Sequence, residues 1–146
     1  MKAHKILLVD DDANDVELAL ASLHKHHVAN EVLGLRDGSE VLDYLYHRGS
    51  FAATDDGTPI VILLDLKMPK VGGLEVLRQL KSDPALKSIP VVVLTSSNEA
   101  ADLREAYQLG ANSYVVKPVD FGKFAATLEQ LGLYWVVTNQ PPPHTP

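Results

Sequence analysis

The sequence predicts an α/β protein in which five parallel β-strands alternate with five α-helices to form a doubly wound sheet. Short apolar runs of strand length are separated by longer stretches in which apolar residues recur at helical spacing. Three of these runs are apolar throughout, which is typical of parallel strands covered by helices on both faces. The strands are predicted at 6–9, 31–35, 60–64, 91–94 and 113–116.

The stretches between the strands carry apolar residues three and four positions apart, which is the spacing of one helical face. Asp37 and Glu40 have the spacing of a capping box, Gly110 follows the fourth helix, and Asp120 can cap the fifth. The predicted faces comprise Val16, Ala19, Leu20 and Leu23; Val41, Leu42, Leu45 and Tyr46; Leu74, Leu77 and Leu80; Leu103, Ala106, Tyr107 and Leu109; and Phe121, Phe124, Leu128, Leu131 and Trp135.

Length and composition favour one globular domain and exclude several classes of function. The chain has 146 residues, of which 46% are hydrophobic, and this is enough for a single core. Its formal net charge of −6 disfavours a protein that mainly binds nucleic acid. The absence of cysteine excludes disulfides, thiolate metal sites and cysteine nucleophiles.

The domain is expected to span residues 1–138, with a long loop at 49–59 and an extended, mobile proline-rich tail at 139–146. The first apolar run, at 6–9, is too short for a signal sequence or a membrane span. We therefore expect a cytoplasmic protein with no membrane partner.

Side chains that can bind metal or phosphate follow four of the predicted strands. They are Asp10, Asp11 and Asp12 after the first, Asp65 after the third, Thr95 after the fourth and Lys117 after the fifth. In such sheets ligands bind beyond the carboxyl ends of the strands. Clustered carboxylates repel one another and favour a hard cation such as Mg²⁺. A carboxylate beside the cation can attack a phosphoryl group, whose oxygens a lysine and a hydroxyl can hold.

In this order the motifs resemble the receiver domain of bacterial response regulators. The matching segments are Leu-Val-Asp-Asp at 8–11, Leu-Leu-Asp-Leu-Lys-Met-Pro at 63–69, Val-Leu-Thr-Ser at 93–96 and Tyr-Val-Val-Lys-Pro at 114–118. The resemblance covers about residues 5–135. It implies a flavodoxin-like sheet of strand order 2-1-3-4-5, and a stand-alone response regulator of a two-component system without a DNA-binding output domain.

The resemblance also implies roles in metal binding and phosphoryl transfer. Asp65 would accept a phosphoryl group from a sensor histidine kinase. Asp11, Asp65 and the backbone carbonyl of Lys67 would bind Mg²⁺ directly, and Asp10 would act through water. Lys67 and Ser97 would influence the lifetime of the phosphoryl group.

Further roles implied by the resemblance concern the switch. Thr95 would bind a phosphoryl oxygen and report its presence, and Tyr114 would be the aromatic residue that turns inward. Lys117 would form an ion pair with the acyl phosphate. A cis peptide bond before Pro118 would aim the lysine into the site.

Two groups of residues can each be interpreted in two ways. Asp12 is either a member of the acidic site or the N-cap of the first helix. His24, His26 and His27 could together bind a metal, but we favour a solvated run that complements the helix dipole at its C-terminus.

The last predicted helix is apolar beyond one face, with Tyr134 and Trp135 near its end. One interpretation is that this helix packs on the protein's own domain. We favour the other, in which it forms an exposed surface that binds a second copy. The homodimer would use the face formed by the fourth helix, fifth strand and fifth helix. This ending and the loop at 49–59 resemble single-domain response regulators that are paired with bacterial phytochromes.

Two other functions fit the sequence less well. A phosphatase of the haloacid dehalogenase type needs a second aspartate two residues after the nucleophile, where this chain has Lys67. An FMN-binding flavodoxin needs a phosphate loop after the first strand, where residues 10–12 would repel phosphate. We therefore expect a switch that catalyses only its own phosphorylation and dephosphorylation, and not a metabolic enzyme.

Overall fold

A computed structural model of the chain describes residues 5–25, 32–53, 58–117 and 126. Strands and helices alternate along it as predicted. The strands are β1 (Ile6–Val9), β2 (Val32–Leu35), β3 (Val61–Leu64), β4 (Val91–Thr95) and β5 (Ser113–Val116). The helices are α1 (Ala13–Lys25), α2 (Gly38–Leu45), α3 (Gly73–Ser82) and α4 (Ala100–Leu109). A short 3₁₀ helix, Gly49–Phe51, opens the predicted loop at 49–59.

The five strands form one parallel sheet in the order β2-β1-β3-β4-β5, which confirms the predicted fold. β1 lies between β2 and β3, and Ile6 is aligned with both Val32 and Val61. The chain thus goes from β1 to a neighbour on one side and then crosses to β3 on the other. This reversal makes the boundary between β1 and β3 the switch point of the sheet, where a ligand crevice is expected.

Apolar side chains cover both faces of the sheet. On one face, Leu7 and Ile62 belong to a cluster that includes residues of α2, α3 and α4. On the other face, Leu8 and Leu63 pack with Val16 of α1. Every residue of β1, β3 and β4 is buried, as expected of parallel strands covered on both faces. This packed centre holds in place the strand ends that carry the candidate site.

The predicted buried faces are right for α3 and partly wrong for α2. Leu77 and Leu80 of α3 are fully buried and Leu74 is partly buried, while Val76, which the pattern does not include, is also fully buried. In α2 the buried aromatic residue is Tyr44, whereas the predicted Tyr46 is 38% exposed. The reason is that the helix ends one residue before Tyr46, whose hydroxyl donates a hydrogen bond to Asp83 at 2.8 Å.

The helix α4 also differs from its predicted face. Ala106 is buried, but Leu103 and Tyr107 are 40% and 51% exposed. Val116 of the adjoining strand β5 is 43% exposed as well. Two of the α4 residues predicted to be buried are therefore exposed apolar residues. We call the exposed group Leu103, Tyr107 and Val116 the α4–β5 patch.

Two of the predicted helix caps are present. The carboxylate of Asp37 accepts from the N–H of Glu40 at 2.9 Å. Glu40 reaches back to the N–H of Arg36 at 3.2 Å, one residue before the position that a capping box predicts. Gly110 ends α4 in the left-handed conformation, with φ of 109°.

Gly73 allows α3 to begin directly against the end of β3. A Cβ atom here would lie 2.2 Å from the carbonyl oxygen of Asp65 and 2.7 Å from Cα of Leu66. We expect Gly73→Ala to lower the free energy of unfolding by about 3 kcal/mol or more, because the backbone would have to move. Chemical denaturation measures this loss. Gly72→Ala is the control, since its Cβ would meet the Leu66 carbonyl oxygen at 3.6 Å; equal losses in the two variants would contradict the argument.

Several predictions fall on residues that the structure does not describe. They concern the fifth helix with Asp120, the tail at 139–146, the domain boundary at 138, the peptide bond before Pro118, and the residues His26, His27, Tyr134 and Trp135. The side chain of His24 is also outside the description. Among the described helices, none has the length and apolar character needed to cross a membrane.

Candidate functional site

A cleft of about 420 Å³ lies at the carboxyl ends of β1, β3 and β5. This is the edge of the sheet at which the switch point predicts a ligand site. Most of the lining residues are charged, and they are Asp11, Asp12, Asp15, Asp65, Lys67, Ser96 and Lys117.

Three carboxylates meet on the floor of this cleft. Asp10, Asp11 and Asp65 each offer an oxygen within 4.8 Å of the others. Backbone hydrogen bonds extend the sheet past the strands and fix two of them: the N–H of Asp10 donates to Leu35 at 3.0 Å, and that of Asp65 donates to Val9 at 2.9 Å. Asp10 and Asp65 are buried, whereas Asp11 is exposed. An all-oxygen group with one open side suits a hard divalent cation that keeps part of its water.

Lys117 brings a positive charge to the same floor. Its backbone N–H donates to the carbonyl of Thr95 at 2.7 Å, which places the residue at the end of β5. Its ammonium contacts Oδ2 of Asp10, Oδ2 of Asp15 at 3.0 Å and Oδ2 of Asp65 at 3.3 Å. The structure thus brings together four of the predicted site residues, from three strands that are far apart in the chain.

Burial and neighbouring charges have opposite effects on the pKa values of Asp10 and Lys117, which form a buried ion pair. Burial raises the pKa of Asp10 to about 6, although the Lys117 ammonium and the N–H of Asp12 act to lower it. Burial also acts to lower the pKa of Lys117, but the hydrogen bond to Asp10 and the charges of Asp65 and Asp10 outweigh it and raise that pKa. The ion pair of Asp10 and Lys117 is therefore mainly ionised at neutral pH.

The two predicted switch residues meet at Ser97. Thr95 is fully buried, and its Oγ1 accepts from the N–H of Ser97 at 3.4 Å. The hydroxyl of Tyr114 donates to the carbonyl of Ser97 at 2.8 Å. The cleft is lined at this strand end by Ser96 and not by Thr95. The Thr95 hydroxyl thus faces the loop that begins at Ser96.

A polar chain links the loop after β3 to α4. The N–H of Lys67 donates to Oδ1 of Asp65 at 3.4 Å. The Lys67 ammonium lies 3.6 Å from Oδ2 of Asp102, which also accepts from the hydroxyl of Ser97 at 2.6 Å. Lys67 and Ser97, the two residues predicted to influence phosphoryl lifetime, thus share one partner in the first turn of α4. The metal-binding role of the Lys67 carbonyl stays a prediction.

The two interpretations of Asp12 are separated by its contacts. Its carboxylate accepts from the N–H of Asn14 at 2.9 Å and from that of Asp15 at 3.2 Å. Its carbonyl accepts from the N–H of Val16 at 3.1 Å, the first bond of the helix. Asp12 is therefore the N-cap of α1, although it also lines the cleft.

Two residues of the site are missed by the sequence patterns. Asp15 points its carboxylate at Lys117, although the sequence suggests only a favourable charge in the first turn of a helix. The guanidinium of Arg36, at the end of β2, donates to the carbonyl of Asp11 at 3.0 Å. For Asp15 the sequence signal is only its place in the first turn of a predicted helix, and the sequence carries no signal for Arg36.

Comparison with known proteins agrees with this geometry. The model of the response regulator receiver domain matches residues 6–129. The chain belongs to this family. The probable methanogenesis regulatory protein FilR2 of Methanothrix harundinacea is 41% identical over 138 residues, which cover 94% of this chain and 86% of that protein. Response regulator Rcp1 of Synechocystis sp. is 35% identical over 133 residues, which cover 91% of this chain and 89% of that protein.

Solved structures of similar receiver domains include phytochrome response regulators. The phosphorylated cyanobacterial phytochrome response regulator RcpA has a TM-score of 0.90 and 38% identity, covering 97% of this chain and 99% of that one. The bacteriophytochrome response regulator RtBRR has a TM-score of 0.76 and 54% identity, covering 97% and 85%. The Mn²⁺-bound form of Rcp1 has a TM-score of 0.89 and 34% identity, covering 96% and 99%. This receiver domain is thus close to phytochrome-associated regulators, and its acidic group is a candidate site for a divalent metal.

Proposed function

We propose that this receiver domain accepts a phosphoryl group from a sensor histidine kinase onto Asp65 in a reaction that depends on Mg²⁺. The observation that carries the proposal is the meeting of Asp65 with Asp10, Asp11 and Lys117 on the floor of one cleft. A divalent cation and an ammonium are the charges that a carboxylate nucleophile needs when it approaches a phosphoryl donor. The resemblance to a regulator solved in its phosphorylated form supports the same chemistry.

Each residue of the floor has a task in the proposed reaction. A carboxylate oxygen of Asp65 attacks phosphorus, and the bond to the leaving group breaks as the acyl phosphate forms. Lys117 holds a phosphoryl oxygen by a charge-assisted hydrogen bond. Asp11, Asp65 and the Lys67 carbonyl would hold Mg²⁺ directly and Asp10 would hold it through water, and the cation would neutralise charge as it develops. Thr95 and Tyr114 then move with the loop at Ser97, which shifts the preferred contacts of α4 and β5.

Phosphorylation by a small-molecule donor tests the proposal. The purified chain is incubated with acetyl phosphate in Mg²⁺ and, in parallel, in excess chelator, and intact mass is followed over time. We expect a gain of one phosphoryl group per chain in Mg²⁺, and a rate lower by about 100-fold or more in chelator. Equal labelling in the two conditions would contradict the metal dependence, and no labelling in Mg²⁺ would contradict the function itself.

The affinity for Mg²⁺ is expected to depend on pH through Asp10. Burial raises the pKa of this carboxyl to about 6, and a proton there competes with the cation. Affinity should therefore be constant well above that pH and fall about tenfold per pH unit below it. Titration calorimetry across this range measures the effect. An inflection near the ordinary pKa of an aspartate would contradict it. Asp10→Asn should remove the inflection and bind Mg²⁺ more weakly than the wild type well above that pH, where the wild-type carboxyl is ionised.

The partner of this receiver domain is proposed to be a sensor histidine kinase of the bacterial phytochrome type, because similar chains are named as response regulators of phytochromes. The protein would act in the cytoplasm, where such kinases present their phosphorylated histidine. It would be a signalling switch rather than a metabolic enzyme. A phosphotransfer screen against the histidine kinases of the same cell tests the pairing.

A homodimer through α4 and β5 is the proposed route to output. The apolar side chains of the α4–β5 patch are exposed to solvent. Their burial against the same patch of a second copy would favour association. Light scattering after size exclusion is expected to show a dimer that Tyr107→Asp weakens by about tenfold or more. Gln108→Asp adds the same charge at the next exposed position of α4 and is the control. A monomer at high concentration, with and without phosphorylation, would contradict the proposal.

A further inference from the structure

The ammonium of Lys117 uses its full hydrogen-bonding capacity on carboxylates. It contacts Asp10, Asp15 and Asp65, each through Oδ2. A lysine ammonium has three N–H donors and no acceptor. A phosphoryl oxygen can therefore bind this group only after one of the three carboxylates has released its donor.

The three carboxylates differ in how easily they can lose the lysine. The side chain of Asp10 is 4% exposed, and a buried carboxylate that loses its cation is strongly destabilised. Asp65 is itself the proposed acceptor, so its contact with Lys117 shifts to the group that it receives. The side chain of Asp15 is 24% exposed in the first turn of α1, where water can replace the lost hydrogen bond. Asp15 is therefore the partner that exchanges at the lowest cost.

We infer that Asp15 is a positioning residue: it holds Lys117 in the unphosphorylated protein and gives up its hydrogen bond when a phosphoryl oxygen arrives. The inference rests on the proposed phosphorylation of Asp65. Asp15 competes with the incoming group for one N–H donor, so it slows phosphoryl transfer. Because a partly exposed ion pair is modest in strength, its removal accelerates transfer by about three- to tenfold.

The test compares Asp15→Asn with Asp12→Asn in the labelling reaction with acetyl phosphate at saturating Mg²⁺. Asp12 lines the same cleft, but its carboxylate caps α1 instead of contacting Lys117. Asparagine is an equally good N-cap, so Asp12→Asn reports the loss of one negative charge alone. Asp15→Glu keeps the carboxylate and is expected to label at a rate near that of the wild type. Thermal unfolding of each variant ensures that folded proteins are compared.

The expected result is that Asp15→Asn is labelled about three- to tenfold faster than wild type and clearly faster than Asp12→Asn. A rate for Asp15→Asn that is no higher than that of Asp12→Asn would overturn the inference, because the effect would then come from charge alone. A rate below that of wild type would also overturn it. If the wild-type chain takes no phosphoryl group, the proposed function fails and the inference fails with it. If the wild type is labelled and Asp15→Asn is not faster than Asp12→Asn, the inference alone fails.

Discussion

Asp65→Asn is expected to abolish phosphorylation by acetyl phosphate, with a loss of about 1,000-fold or more in rate. The amide of asparagine is a poor nucleophile, and it also removes a negative charge from the group that would hold the cation. The other carboxylates of the floor are differently placed. Asp10 and Asp11 precede α1 and lie at the end of a different strand. Intact mass measured over time in saturating Mg²⁺ gives the rate.

The control for this variant is Asp83→Asn. Asp83 follows α3, which runs back along the sheet, so the residue lies at the end away from the cleft, and its carboxylate accepts from Tyr46 and from the N–H of Ala85. It should be labelled at the rate of the wild type. If Asp65→Asn were labelled as fast as Asp83→Asn, another residue would be the acceptor.

Lys117→Met is expected to change both reactivity and stability. The labelling rate should fall by about 100-fold or more, because the charge that holds a phosphoryl oxygen is lost. The free energy of unfolding should fall by about 2 to 4 kcal/mol near pH 8, because Asp10 and Asp65 stay buried without their cation. Chemical denaturation with and without Mg²⁺ measures the second effect. Mg²⁺ should restore part of the stability, since it replaces the missing positive charge.

The pH dependence of this loss has a definite sign. The pKa of Asp10 is already raised to about 6 by burial, and removal of Lys117 raises it further. The penalty is therefore present above the folded-state pKa and is relieved as the pH falls through it and the carboxyl becomes neutral. Lys117→Met should lose less stability at about pH 5 than at about pH 8. Lys87→Met, at an exposed position after α3, is the control and should show little loss at either pH.

The fold was predictable because its signals are local or repeat along the chain. Continuous apolar runs such as those of β1 and β3 specify strands covered on both faces, and the alternation with helices specifies a parallel sheet. Caps such as Asp37 and Gly110 act within one helical turn and can be identified from spacing alone. The face of α4 was predicted less well, because apolar spacing shows which residues share a side of a helix but not what covers that side.

The candidate site was predictable to the extent that strand ends carry it. Asp10, Asp65 and Lys117 come directly after strands, and the parallel sheet brings their side chains to one edge. Asp15 and Arg36 reach the site through side-chain length and direction, from a helix and from the end of β2. The spacing of residues in a sequence does not show where the side chains of Asp15 and Arg36 point, so these contacts can be seen only in the structure.

The most direct test of the proposed function is the location of the phosphoryl group. The labelled chain is treated with borohydride, which reduces an aspartyl phosphate to homoserine, and the peptides are then sequenced by mass spectrometry. Homoserine is expected at residue 65 and at no other aspartate of the cleft. Homoserine at residue 10, 11 or 15, or a phosphoryl group retained on a histidine, would contradict the assignment of Asp65 as the acceptor.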